Sequence, residues 1–223
     1  MHVDEAVGNY GSGREIYVFK VPGTESYLPG DINNDKKIDE NDLTSYTNYT
    51  GLRRGDSDFE GYISRGDLNL NGLIDAYDIS AVATQLEDGA NTYKVEKVGG
   101  SISLTANKRT YAKGETVEIT VKGTGLSAVN AISFALPYDP TDYQFVGIEP
   151  LSAKDMHNMT NDRLHTNGEK ALYPTFVNIG DRQPLEGDAD LFVIKLRANR
   201  NLTFDLQAKN GFLVNKRMEV VRF

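Results

Sequence analysis

DINNDKKIDEND, residues 31–42, decides how this chain is read, because DLNLNGLIDAYD repeats its pattern at residues 67–78. Each copy carries oxygen-bearing side chains at positions 1, 3, 5, 9 and 12 and an isoleucine at position 8. At that spacing one short turn of backbone delivers the 6–8 oxygens that a hard divalent cation such as Ca²⁺ collects. The candidate ligands of the first copy are Asp31, Asn33, Asp35, the Lys37 carbonyl, Asp39 and Asp42. Those of the second are Asp67, Asn69, Asn71, the Leu73 carbonyl, Asp75 and Asp78. Asp- and Asn-rich stretches also make ordinary polar turns. The shared twelve-residue register, the paired isoleucines and the helical pattern after each copy favour the cation, and two structural Ca²⁺ ions are expected.

Measured against an EF-hand loop, the copies depart in two ways. Position 12 is Asp in both rather than Glu, a methylene shorter, so the end of each loop must close more tightly. Position 6 is Gly72 in the second copy but Lys36 in the first. The sharp turn there wants a left-handed backbone, which costs a non-glycine residue about 1–2 kcal/mol. Ile38 and Ile74, at position 8, are expected to turn inward and tie the two loops together.

The 223 residues suffice for two modest domains. A balance of 32 acidic against 24 basic residues gives a formal charge of −8, which argues against a nucleic-acid partner. Both loops are net acidic, so part of that charge is a cation-binding signature. There is no cysteine, hence neither a disulfide framework nor a thiolate metal site. No apolar run is long enough to span a membrane. The first fifteen residues lack the basic and apolar regions of a signal peptide, so the chain reads as a piece of a larger protein.

Along the chain, residues 1–28 read as a tail or the last strand of an upstream module, with the β-rich run Arg14 to Val21 ended by Pro22-Gly23. Residues 29–89 carry the repeat. Helices are expected over Leu43 to Tyr49 and Ile79 to Leu86, the second with Ile79, Val82, Ala83 and Leu86 on one face. No helix is expected before either loop. Residues 53–66 form a turn-rich connector whose Phe59, Tyr62 and Ile63 cover a small core. After a short linker at 89–93, residues 93–223 show many short strands, with period-2 alternation at Ile102–Ala106, Val117–Val121, Ile132–Leu136 and Phe204–Leu206. Leu191–Ile194 and Phe212–Val214 are short apolar runs. Spaced by turn signals, these predict an all-β sandwich. The polar stretch from Pro150 to Asp190 is expected to be loops at one end of it.

Half EF-hands in tandem, with Asp at position 12 and a helix only after each loop, resemble dockerin modules over residues 29–88. The resemblance implies recognition through loop positions 10 and 11, here Glu40-Asn41 and Ala76-Tyr77, and the helix that follows. Because these pairs differ, it also argues against symmetric docking by either copy. VGGSISLTANKRTYAKGETVEITV, AISFALPYDP and DLFVIKLRA resemble a cohesin-like, immunoglobulin-type sandwich over residues 93–223. The fold expected is therefore multidomain: a small all-α EF-hand repeat domain plus an all-β sandwich. The expected partner is a dockerin or cohesin-like module, in cis or in trans, and no nucleic acid.

No enzyme signature is found. The three histidines lie in no nucleophile elbow or zinc motif. Asp155, His157, Asp162 and His165 read as solvated loop residues rather than a second metal site. What emerges is a non-catalytic, calcium-stabilised interaction or scaffolding region. The resemblance implies a secreted or cell-surface bacterial glycoside hydrolase as the parent protein. The alternative is a carbohydrate-binding accessory module using the sandwich, with Tyr138, Tyr143 and Tyr173 as candidate platforms in a chain without tryptophan. Packing in the core or at its rim is the competing role for those tyrosines.

Overall fold

Asp39 starts the first helix three residues earlier than the apolar pattern suggests. Its side chain accepts from the N–H of Asn41, and Asp42 reaches back to the N–H of Asp39, a capping box that satisfies donors the helix itself leaves open. The computed structural model describes residues 28–86, 96–180 and 182–223. The strand expected at Arg14–Val21 and the linker at 89–93 lie outside them. The helical part consists of α1 (Glu40–Tyr49), a single turn α2 (Gly61–Ser64) and α3 (Ala76–Leu86). α2 corrects the expectation of no helix before the second loop. Phe59 and Ile63 do cover the small core, whereas Tyr62 is exposed.

The β part comprises β1 (Gly99–Ala106), β2 (Thr110–Tyr111), β3 (Thr116–Val129), β4 (Ala131–Pro137) and β5 (Tyr143–Pro150). It continues with β6 (His157–Asn158), β7 (Asn161–Leu164), β8 (Lys170–Tyr173), β9 (Thr175–Val177) and β10 (Leu185–Ala198). Last come β11 (Leu202–Thr203), β12 (Lys209–Val214) and β13 (Val220–Arg222). One sheet runs β1-β3-β10-β5, and the other runs β13-β12-β4-β8-β7, with β9 also paired to β4 and β6. Every pairing is antiparallel, as a sandwich of hairpins and longer connections requires.

Between the sheets lies the sandwich core. Val117, Ile119 and Val121 of β3 stand opposite Leu196, Ile194 and Phe192 of β10. Phe192 stacks on Phe176 with ring centroids 4.4 Å apart. Phe204–Leu206, read as a strand, is not one, although its two ends do pack on this core. The segment from Pro150 to Asp190 is not a set of loops either. It supplies β6 to β9 and the start of β10: β6 and β7 are polar and at least partly exposed, while β8 and β9 are buried but only three or four residues long, too short to show a period.

A second core lies on the outer face of the β12-β4-β9 sheet. β4 sends Ile132, Phe134 and Leu136 into the sandwich and Ala131 outward; β12 sends Leu213 inward, with Phe212 and Val214 outward. The outward residues, with Met159 and Val177, form one cluster with Ile32, Leu43, Tyr46, Ile74, Ile79, Val82 and Ala83 of the helical part. A sheet buried on both faces shows runs rather than alternation, which is why Phe212-Leu213-Val214 is uninterrupted. Each large apolar side chain fully buried there contributes about 1.5–3 kcal/mol. Apolar burial therefore holds the helical part against the sheet.

Candidate functional site

The two loops close bond for bond alike. In the first, Asp31 accepts from the N–H of Asp35 at 3.0 Å and of Lys36 at 2.9 Å. In the second, Asp67 accepts from the N–H of Asn71 at 3.0 Å and of Gly72 at 2.7 Å. Asn33 and Asn69 each accept from the residue two further on. The position-12 carboxylates strap the loop start to its end. Asp42 holds the N–H groups of Ile32 and Asp39, and Asp78 those of Leu68 and Asp75. Positions 4 and 6 are left-handed in both copies: Asn34 and Lys36 at φ 60° and 70°, Leu70 and Gly72 at φ 59° and 86°. Lys36 adopts the glycine conformation and bears its strain.

Carboxylate oxygens of Asp31, Asp35 and Asp42 lie within 4.8 Å of one another. Asp39 and Asp75 instead cap their helices, accepting from Asn41 and Tyr77 at 2.8 Å. Asn71 bonds across the second loop to Asp75 at 2.9 Å, and Lys37 and Leu73 stand at position 7. Burial raises the Asp42 carboxyl, pushes Asp75 up to about 6, and, helped by the charge of Asp75, raises Asp78 well above the usual range. Asp42, Asp67, Asp75 and Asp78 are all buried. Buried acids crowded by like charges are a donor set that fits a divalent cation. Ile38 and Ile74 both turn into one core, Ile74 as a member and Ile38 packed against it. Ile74 exchanges backbone bonds with Gly51 and Leu52, at 2.8 and 2.9 Å, because the strand-like turn after α1 lies alongside the second loop. Ile74 is fully buried and Ile38 only partly.

The pairs at loop positions 10 and 11 separate. Ala76 is buried and Tyr77 packs against the second core, whereas Glu40 and Asn41 face solvent. The second copy therefore meets the sheet, and α3 lies on β4, β9 and β12. The polar rim of that seam was not anticipated from the sequence. His165 is 3% exposed, with Nδ1 2.8 Å from Asp56 Oδ2 and Nε2 2.8 Å from the Tyr173 hydroxyl. Thr166 N–H donates to the other Asp56 oxygen at 3.1 Å, and Ser57 N–H donates to the Thr166 hydroxyl at 2.9 Å. Burial works to raise the Asp56 carboxyl, but bonds from His165 and from the Arg53 and Thr166 N–H groups outweigh it and hold it below its usual value. The ionised carboxylate can only accept, so Nδ1 carries the proton.

Beside this pair, Arg53 bonds to Glu169 and Asn167. The Arg163 guanidinium donates to the carbonyls of Thr50, at 2.7 Å, and Asn48, and Asn161 donates to that of Thr47. Those carbonyls end α1, whose last turn has no basic residue of its own. A helix end is electronegative, so a cation from the sandwich completes it. Gly51 lies so near the Tyr173 ring that any Cβ would strike it. His165 and Asp162, read as solvated, are seam and sheet residues: Asp162 accepts from Tyr138 at 2.7 Å and pairs with Lys170. Tyr138, Tyr143 and Tyr173 are buried.

A paired-loop helical module seated on a β-sandwich, with an apolar centre and a satisfied polar rim, defines a tandem of protein-interaction modules. The chain belongs to the cohesin family: the cohesin domain profile matches residues 101–216, just over half the chain, and a dockerin type I domain matches residues 29–87. Among curated proteins, nothing matches. Similar solved structures include a cohesin module of a Clostridium perfringens family 33 glycoside hydrolase, at 12% identity, TM-score 0.44, over 56% of this chain and 90% of that one. A type II cohesin domain from the Acetivibrio cellulolyticus cellulosome is 12% identical, TM-score 0.45, over 55% and 87%. A non-cellulosomal cohesin from Archaeoglobus fulgidus is 14% identical, TM-score 0.41, over 54% and 83%.

Dockerin and cohesin domains are non-catalytic modules that bind each other, which gives this chain an interaction or scaffolding role of the cellulosome type. Here the two meet in cis. Type I dockerins are generally calcium-binding. Among the described residues no helix is long and apolar enough to cross a membrane.

Proposed function

We propose that residues 29–89 and 93–223 form the calcium-stabilised docking region of a secreted or cell-surface bacterial enzyme that degrades polysaccharide. Two Ca²⁺ ions would be held by Asp31, Asn33, Asp35, the Lys37 carbonyl, Asp39 and Asp42, and by Asp67, Asn69, Asn71, the Leu73 carbonyl, Asp75 and Asp78. The observation that carries this reading is the buried, like-charged carboxylate set in each loop, closed by matching hydrogen bonds. Bound calcium neutralises that charge, so its binding free energy becomes folding free energy. The chain's own contribution is the strap from Asp42 and Asp78 and the caps from Asp39 and Asp75.

Calcium titration of the chelator-stripped chain by calorimetry tests this. Two sites are expected to fill, and one site or none overturns the two-ion reading. The enzymatic parent is tested in the gene, where a catalytic domain with a carboxylate pair is expected upstream of residue 1. Burial of Tyr138 and Tyr143 supports their packing role over a sugar platform.

A further inference from the structure

Three features of the seam bear on what either module can still bind. The outer face of β12, β4 and β9 is fully committed, with Ala131, Val177, Phe212 and Val214 buried against α3 and the residues around it. The surface of the helical module that faces it, including Ala76 and Tyr77, is committed in return. In addition, the end of α1 is unfinished without Asn161 and Arg163, because the carbonyls of Thr47, Asn48 and Thr50 take their donors from the other module. Each module thus carries the complement that the other lacks.

We infer that this chain is self-closed: its two modules occupy each other's recognition surfaces, and neither accepts an external partner until the seam opens. The ligand each open module would take is a second copy of the other. For the sandwich, that is a cation-loaded helix pair offering an unfinished helix end and an acidic residue like Asp56. For the helical module, it is a sheet face offering Arg163 and His165 beside an apolar centre. The inference rests on the interaction-module reading but needs neither the parent enzyme nor the ion count.

Closure follows from the seam and is favoured by covalent linkage. Nine residues, 87–95, separate Leu86 from Glu96, and joining two partners through so short a connection gives an effective concentration in the millimolar range. A free competitor at micromolar concentration is therefore outcompeted about a thousandfold at equal intrinsic affinity. The buried His165–Asp56 bonds and the Arg163 contacts add selectivity, since a partner without them leaves desolvated polar groups unpaired.

The test is complementation between full-length chains in calcium. One chain carries Met159→Asp and Arg163→Glu, which spoil the sheet face and leave the helical module free. The other carries Asp67→Ala and Asp78→Ala, which spoil the second loop and leave the sheet face free. A version with Asp56→Lys keeps both loops intact in case the loop variant perturbs more than intended. Light scattering should show a 1:1 complex between complementary variants and monomers for wild type alone. Wild type mixed with either variant should bind at least tenfold less. Uptake by wild type equal to that between variants overturns closure. So does failure of both complementary pairs to associate while circular dichroism and calcium titration show the retained modules folded. Loss of calcium binding would instead strike the proposed function and is read separately in the titration.

Discussion

Asp56 and His165 lie 109 residues apart in sequence, yet their side chains meet at 2.8 Å with almost no exposure to solvent. The carboxylate belongs to the turn after α1 and the imidazole to the turn after β7, so the bond exists only when the modules are docked. It is also the place where removing one atom group should be felt most. His165→Ala leaves a buried carboxylate short of a partner, and Asp56→Ala strands the imidazole. Each should lower stability by about 3 kcal/mol, with the double variant costing less than the two together. Thermal melting of the set as a double-mutant cycle measures the coupling.

The same bond sets a pH dependence. The Asp56 carboxyl is held below its ordinary 3.8 in the folded chain. Its contribution is therefore complete above 3.8 and is lost as the pH falls through the lower folded value. The melting difference between wild type and Asp56→Asn, in saturating calcium, should be constant from pH 7 to about 5 and shrink in more acid solution. A difference that grows with acid would reverse the assigned sign.

Chelation should unfold the helical module first. EDTA is expected to lower its melting temperature by more than ~10 °C, since removing the ion leaves the buried carboxylates uncompensated. The sandwich has its own core and should melt later. Coincident, unshifted transitions with and without EDTA would remove calcium from the account of stability.

Lys36 sits at φ 70° where the second loop has Gly72. Lys36→Gly should relieve about 1–2 kcal/mol of backbone strain, offset by about 0.5–1 kcal/mol of added unfolded-state freedom. It also removes a positive charge from the loop. The expected net result is a small gain in stability and tighter calcium binding at the first loop, both read from calcium titrations followed by melting.

Among the described residues, the Ser80 hydroxyl is buried in α3 with no hydrogen-bond partner. Ser80→Ala removes that desolvated group and improves helix propensity, so it should raise stability by about 1 kcal/mol. Denaturant titration at constant m-value checks it.

The loops and the strand-rich half could be read in the sequence because their signals are local. A ligand spacing of twelve residues, or alternation over five, needs no knowledge of the rest of the chain. The segment from Pro150 to Asp190 was illegible for the opposite reason. Asn161, Arg163 and His165 look like loop residues until one sees that they bond to backbone and carboxylate groups more than 100 residues away. One faint sign was present: Phe212-Leu213-Val214 has no polar residue on either face, as a strand covered on both sides requires.

The sequence by itself determined that there are two loops of EF-hand spacing, that each is followed by a helix, and that the strand-rich half is a sandwich. These follow from side-chain chemistry at short range. Only the tertiary structure decided that the second copy, through Ala76 and Tyr77, is the one turned to the sheet, and that the Ile74 backbone bonds to Gly51 and Leu52. Which of two similar faces is buried depends on what lies opposite. Here that is a steric and electrostatic match between the end of α1 and Arg163, and between Gly51 and the Tyr173 ring. Such complementarity is a property of two surfaces together, and neither stretch of sequence contains it alone.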